Sequence, residues 1–200
     1  MRKYILLISI LMFTVFAANA QNAGEYYKNN EIDKFVGTWE WKSGNDYFRI
    51  VISKQKLEGT NFSTGSKHHR DMAIGWHIYV KNGVIIDSSM DNVNRTFVDA
   101  LDAIRNSSLN GGGGTNSKYL LVSFSDKQKN KSGKATLTLV QGKSNEANWK
   151  LKEREGIMIY DPATDPPYPQ GWTVPTELVM KKISDTDGGI QLPQLPPPIL

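Results

Sequence analysis

Residues 35–52 decide the fold, and their sequence is FVGTWEWKSGNDYFRIVI. The turn-favouring run Ser43-Gly44-Asn45-Asp46 separates this stretch into two halves with alternating apolar residues. One face of the first half carries Phe35, Gly37, Trp39 and Trp41, and one face of the second carries Phe48, Ile50 and Ile52. A period of two on either side of a turn predicts a β-hairpin.

A second hairpin is expected downstream. Residues 74–81 alternate again, with Ile74, Trp76, Ile78 and Val80 on one face and Gly75, His77, Tyr79 and Lys81 on the other. The pair Asn82-Gly83 follows, and both residues tolerate the positive φ angles of a type I′ turn. Residues 84–87 are therefore the predicted return strand.

The rest of the chain predicts short strands at 118–124, 134–140, 147–155 and 177–183. Residues 96–105 place apolar side chains at helical spacing and predict one short helix with Thr96 as its N-cap. The glycine-rich residues 110–116 are expected to form a loop. His68 and His69 are expected to lie in a surface loop, and a further short strand within 57–70 is left open.

About eight mostly sequential strands favour an all-β fold, because closure of a sheet removes exposed strand edges. The expected architecture is an antiparallel up-and-down β-barrel with one short helix, and a β-sandwich is the alternative. The barrel domain is expected at 33–183. It follows a lead-in at 21–32 and precedes a proline-rich tail at 184–200.

The N-terminus has the features of a secretory signal peptide at 1–20. Arg2 and Lys3 precede an apolar run, and Ala18-Asn19-Ala20 matches the small-x-small pattern of a cleavage site. Cleavage after Ala20 predicts a secreted or periplasmic protein. The chain contains no cysteine, so thiol catalysis and cysteine-based metal sites are excluded.

The charge balance gives no reason to expect a nucleic-acid partner. The net charge is +4, and loss of Arg2 and Lys3 with the signal peptide lowers it to +2. Lysines cluster only at 127–134, whereas nucleic-acid binding needs a broad basic face. After residue 20 no apolar run is long enough for a transmembrane segment.

The motif Gly37-Thr38-Trp39 resembles the Gly-x-Trp motif of lipocalins and related calycin barrels. The resemblance implies that residues 30–34 form a short helical turn and that Trp39 packs across the closed end of the barrel. It also implies that a basic residue of the last strand, Lys181 or Lys182, covers this tryptophan. Gly37 and Trp39 are therefore expected to be structural.

Residues 33–183 also resemble a group of small secreted bacterial proteins of unknown function. The shared features are Val-Gly-Thr-Trp-Glu-Trp at 36–41, the Gly-Trp…Lys-Asn-Gly hairpin at 75–83, and Pro-Thr-x-x-x-x-Lys at 175–181. This resemblance implies one domain and no particular activity.

Aromatic residues are the candidate ligand-binding residues. Trp41, Trp76 and Tyr79 lie on the two predicted hairpins, and Trp172 lies in the proline-rich segment 161–175. A barrel of lipocalin size holds one small molecule, which such side chains would line. The alternative is that they fill the core or, for Trp172, pack over the barrel mouth.

No catalytic residue, metal site or cofactor is predicted. His68, His69 and His77 are the only histidines, and adjacent histidines on a strand point to opposite faces. No Gly-x-Ser-x-Gly motif and no calcium-loop spacing occur.

The expected function is a secreted, non-enzymatic barrel that binds a small apolar molecule or a glycan. The first alternative is a structural or protein-interaction module with a filled core. The second is a hydrolase that uses acidic loops. The sequence identifies no protein partner.

Overall fold

The computed structural model describes residues 24–61, 63–93, 95–154 and 168–186. The predicted signal peptide lies outside the described residues, as do 161–167 of the proline-rich segment and 187–200 of the tail. The strands are β1 (Tyr26–Tyr27), β2 (Gly37–Ser43), β3 (Asp46–Thr60), β4 (Lys67–Lys81), β5 (Val84–Ser88), β6 (Leu109–Gly111), β7 (Tyr119–Asp126), β8 (Lys131–Leu139), β9 (Glu146–Glu153) and β10 (Glu177–Ser184). The helices are α1 (Ala100–Asn106) and two short 3-10 helices, Asn30–Lys34 and Met90–Asn92.

Eight of these strands close into an antiparallel β-barrel. The order around it is β2-β3-β4-β6-β7-β8-β9-β10, and β10 pairs back onto β2. The strands β1 and β5 lie outside this circuit and pair with β4. The predicted all-β barrel with one short helix is confirmed, in place of the β-sandwich alternative.

Both predicted hairpins form. The register of the first places Trp39 opposite Ile50 and Trp41 opposite Phe48. In the second, Asn82 and Gly83 have φ angles of 52° and 77°, as a type I′ turn requires.

The prediction of a surface loop at His68 and His69 was wrong, and 57–70 contains the ends of two long paired strands rather than a separate short one. The strand β3 runs to Thr60 and β4 begins at Lys67, so that His68 and His69 lie on a paired strand. Most side chains in this extension are polar, and hydrophobic alternation therefore did not reveal the backbone pairing.

The helix α1 is shorter than predicted, and its N-cap is Asp99 rather than Thr96. The Asp99 carboxylate accepts a hydrogen bond from the Asp102 N–H at 2.8 Å. The preceding residues stay extended, because the Phe97 N–H donates to the Gln55 side chain at 2.9 Å and Asp99 bridges to Glu58. These contacts with β3 are not visible in helical periodicity.

The glycine-rich segment 110–116 was predicted to be a loop, yet its first two residues belong to β6, the strand that closes the barrel. This strand pairs with β4 on one side and β7 on the other. Gly111 has a φ of 144°, and a Cβ at this position would lie 3.2 Å from the Cα of Val122. The close approach of two strands therefore explains the glycine.

The barrel interior is filled by side chains. Its buried residues are Ile32, Phe35, Trp39, Phe48, Ile50, Ile52, Ala73, Leu109, Leu120, Val122, Phe124, Ala135, Leu137, Ala147, Trp149, Leu151, Val174 and Met180. A second cluster packs between α1 and the outer faces of β3 and β4, and it includes Val51, Ile74, Trp76, Ile78 and Phe97. The sheet at β3 and β4 is therefore apolar on both faces.

Trp39 lies at the closed end of the barrel. Its indole N–H donates to the Phe35 carbonyl at 2.9 Å, and Lys182 Nζ lies 5.6 Å from its ring centroid. The covering residue is thus Lys182, one of the two expected. Gly37 has a φ of 118°, and a Cβ there would clash with the carbonyl oxygen of Ser184.

Candidate functional site

The strap, residues 168–176, crosses the opposite end of the barrel. The Thr173 N–H and hydroxyl donate to the Asp126 carboxylate at 2.7 and 3.0 Å. Lys131 Nζ donates to the Pro169 carbonyl at 3.1 Å and to Glu153 at 2.7 Å. These contacts fix the strap to β7 and β8, and Lys131 also links β8 to β9.

Trp172 closes the barrel mouth from within this strap. Its ring packs edge-on against Phe124 at 6.2 Å, and Lys131 Nζ lies 4.2 Å from its centroid. A Cβ at Gly133 would lie 2.5 Å from the Trp172 ring. The side chain therefore packs over a filled interior.

The barrel wall opens between β2 and β10. Their pairing ends at Glu40 and Lys181, and Trp41 and Leu178 lie beyond the last pair. A groove of about 880 Å³ starts at this gap and extends over the outer faces of β8, β9 and β10. It is lined by Trp41, Lys134, Thr136, Thr138, Asn148, Trp149, Lys150, Lys152, Glu177, Leu178 and Val179.

The groove is apolar at its inner end and polar along its outer part. The half-buried Trp41 lies with Trp149 and Leu178 at the gap. The polar part consists of two threonines, one asparagine, three lysines and Glu177, which pairs with Lys150 at 3.3 Å. An aromatic face next to several hydrogen-bonding groups is typical of a site for a ligand with both apolar and polar surfaces.

The four candidate ligand-binding residues do not form one site. Trp41 lines the groove, and Trp172 covers the mouth. Tyr79 packs edge-on against Phe48 at 6.3 Å on the inner side of the barrel wall. Trp76 is on the other face of β4, fully buried and stacked on Phe97 at 6.4 Å.

Trp76 and Trp41 therefore do not line a common surface. Successive residues of a strand point to opposite faces, so Trp76 faces away from the interior when Tyr79 faces into it. Both faces of β4 are apolar, and the alternation alone did not show which face is inside.

A buried Ser–His–Asp group was missed by the sequence analysis. His77 Nε2 lies 3.0 Å from Asp87 Oδ2, and His77 Nδ1 lies 2.9 Å from Ser108 Oγ. His77 is 2% exposed and Ser108 is 0% exposed, so a substrate has no access to either. The group ties β4 to β5 and to the residue before β6. The sequence feature that could have indicated this group is a single histidine, His77, within a strand of mostly apolar residues.

Asp87 has a pKa below its usual value. Burial raises the pKa of this carboxyl. Hydrogen bonds from His77, the Ser88 backbone and Gln128, together with the charge of His77, lower the pKa and outweigh the effect of burial. The ionised form of Asp87 is therefore the stabilised form in the folded protein.

Within the described ranges, no group of three or more histidine, aspartate or glutamate side chains is placed to hold a metal ion. The helices in these ranges are all too short or too polar to cross a bilayer.

Comparison with known proteins gives one family. No curated protein and no solved structure matches the chain. A family of unknown function, DUF6705, matches residues 1–183. The chain therefore belongs to this family, and its fold is the closed eight-stranded antiparallel barrel described above.

Proposed function

We propose that the protein is a non-enzymatic carbohydrate-binding barrel and that the glycan lies in the groove between β2 and β10. The observation that carries the proposal is the position of Trp41. This residue is half-buried at a gap in the barrel wall, and polar side chains continue outward from it.

The filled interior favours this groove over the lumen as the binding site. Trp39, Phe48, Phe124 and Trp149 are each at most 1% exposed, and Trp172 packs over the mouth. A lumen packed with side chains offers no volume for an apolar molecule. Of the two expected ligand classes, the glycan is therefore the better supported.

The groove has the two kinds of group that bind sugars. An indole ring offers a flat face with negative charge density, against which the C–H face of a sugar ring packs. Thr136 and Thr138 each provide a hydroxyl, and Asn148 provides an amide that both donates and accepts. Sugar hydroxyls need partners of this type when they leave water.

The proposal includes export and kinship to lipocalins. The leader at 1–20 supports cleavage after Ala20, and N-terminal sequencing of the exported protein would then begin at Gln21. A first residue other than Gln21, or retention in the cytoplasm, contradicts this part.

Kinship to lipocalins is supported by the Gly37-x-Trp39 motif and by Lys182 over the indole ring.

The test compares binding of Trp41→Ala with that of the native protein on a panel of immobilised oligosaccharides. We expect a bound glycan whose affinity falls at least about tenfold on loss of the indole, which corresponds to about 1.4 kcal/mol. Tyr27→Ala is the matched control, because Tyr27 is an exposed aromatic residue outside the groove. Unchanged binding by Trp41→Ala, or no binding to any glycan, overturns the proposal.

A second candidate function is a protein-interaction module with a filled core. It is favoured by apolar residues exposed on and before α1, where Val98 is 82%, Leu101 58% and Ile104 40% exposed. Chemical crosslinking tests this candidate when it is carried out separately on the native protein and on the Leu101→Glu variant. A crosslinked species lost in the variant supports this candidate, and identical crosslinking contradicts it.

A further inference from the structure

Two lysines face each other on the outer surface of the barrel. Lys134 of β8 and Lys152 of β9 are register partners in the antiparallel ladder, and both are exposed. They point outward, because the alternate residues Ala135 and Leu151 are buried in the interior. Like charges directly opposite each other on paired strands are destabilising. A bound anion would remove this cost.

A second pocket continues from this lysine pair. It has a volume of about 480 Å³ and is lined by the glycine-rich residues 111–114, by Ser123 and by Arg154. Arg154 lies at the pocket with its guanidinium donating to Ser123 Oγ at 3.2 Å. Lys134 lines both this pocket and the groove, so the two adjoin at this residue; together they are called the track, which crosses β7 to β10.

The charge of the track is strongly positive. Its basic residues are Lys134, Lys150, Lys152 and Arg154, and Glu177 is the one acidic residue among those that line it. Since Glu177 pairs with Lys150, the remaining basic side chains of the track are Lys134, Lys152 and Arg154. Four basic side chains against one acidic side chain give the lining of the track a formal charge of +3.

We propose that the track binds an anionic polysaccharide, with an acidic group held between Lys134 and Lys152. Arg154 contacts the next acidic group along the polymer, and a neighbouring sugar ring packs on Trp41. The inference rests on the proposed carbohydrate-binding function and adds the charge class of the glycan. Positive charge beside an aromatic residue and neutral hydrogen-bonding groups suits a charged sugar chain.

The experiment measures binding of purified protein to four probes at two or more salt concentrations. The probes are a polyuronate, which carries carboxylates, dextran sulfate, neutral dextran and single-stranded DNA. We expect the native protein to bind at least one acidic polysaccharide at least about tenfold more tightly than neutral dextran, with affinity that falls as salt rises. The two acidic probes show whether carboxylate or sulfate is preferred. Equal or tighter binding of the DNA overturns the assignment to a polysaccharide.

The variants Lys134→Gln and Lys152→Gln test whether the glycan is anionic, separately from whether the protein binds a glycan at all. We expect each variant to bind the acidic polysaccharide at least about fivefold more weakly and with less salt dependence, while Lys81→Gln, an exposed control outside the track, binds normally. In the absence of ligand, each track variant should melt about 1–3 °C higher, because the repulsion is gone.

The outcomes distinguish two failures. If Trp41→Ala abolishes glycan binding but both lysine variants bind the acidic polymer normally, the carbohydrate site stands and the charge class is wrong. If no glycan binds to the native protein, the proposed function itself fails. Weaker binding by the lysine variants with normal binding by Lys81→Gln supports the inference.

Discussion

Lys182, on the last strand, lies over the indole ring of Trp39, on the first barrel strand, with its Nζ 5.6 Å from the ring centroid. The same ammonium donates to the Lys34 carbonyl at 3.4 Å and pairs with Asp185 at 2.7 Å. The Lys182 side chain therefore connects the last strand of the barrel to the first, and both to the 3-10 helix Asn30–Lys34 at the closed end of the barrel.

Loss of this side chain should weaken the closed end. Lys182→Ala removes a cation–π contact and a hydrogen bond, and we expect it to lower the free energy of unfolding by about 1–2 kcal/mol. Lys181→Ala, an exposed neighbour, should change it by less than about 0.5 kcal/mol. Urea denaturation of both variants measures the difference. Equal effects would contradict the role of Lys182.

Gly37 should tolerate no side chain. Gly37→Ala places a Cβ against the Ser184 carbonyl at a φ of 118°, and we expect a loss of more than about 3 kcal/mol or failure to fold. Gly44→Ala is the control, because Gly44 also has a positive φ, of 60°, but has open space around it. It should cost about 1 kcal/mol. Thermal melts compare the two, and similar melting temperatures would show that the clash does not matter.

Trp76 should act through stability alone. Trp76→Ala removes a fully buried ring stacked on Phe97, and we expect a loss of about 3–5 kcal/mol. Trp76→Phe keeps most of the packing, folds, and should bind any ligand of the groove with native affinity. Circular dichroism and a binding titration measure the two effects. A folded Trp76→Phe that no longer binds would place the ligand near α1 instead.

Asp87 should make the free energy of unfolding depend on pH in the acid range. The pKa of Asp87 is lower in the folded protein than the ordinary value of 3.8, so the unfolded chain binds the proton more readily. Its contribution to stability is therefore complete above about pH 4 and is lost as pH falls through the lower folded pKa.

Asp87→Asn tests this contribution. We expect a loss of about 1–2 kcal/mol at pH 7 and a shallower decline of stability below pH 4. Asp91→Asn, at an exposed position, is the control. The measurement is the denaturant midpoint of each protein between pH 2 and pH 7. A parallel loss of stability in the native protein and in Asp87→Asn would contradict the account.

Much of the fold could be predicted from local patterns. The alternation around Trp39 and the Asn82-Gly83 pair located two hairpins, because side-chain period and turn geometry are local properties. The closure of the barrel through β6 could not be predicted in this way. That strand has three residues, two of which are Asn110 and Gly111, and only its two neighbours define it.

The candidate site could be predicted only in part. Trp41 was identified because an aromatic residue on an alternating strand is visible in the sequence. The groove also depends on where the β2–β10 ladder ends and on the register that sets Lys134 opposite Lys152. Such pairings join residues that are far apart in the chain, so their geometry appears only in the folded barrel.

The five tryptophans allow the most direct test of the central claim, that the glycan binds in the groove and not in the lumen. Each tryptophan gives one indole N–H signal in a ¹⁵N NMR spectrum, and single Trp→Phe variants assign them. On titration with the bound glycan, the account predicts a shift of the Trp41 signal, with the signals of the fully buried Trp39 and Trp76 unchanged. Shifts of Trp39 or Trp76 with no change at Trp41 would contradict it.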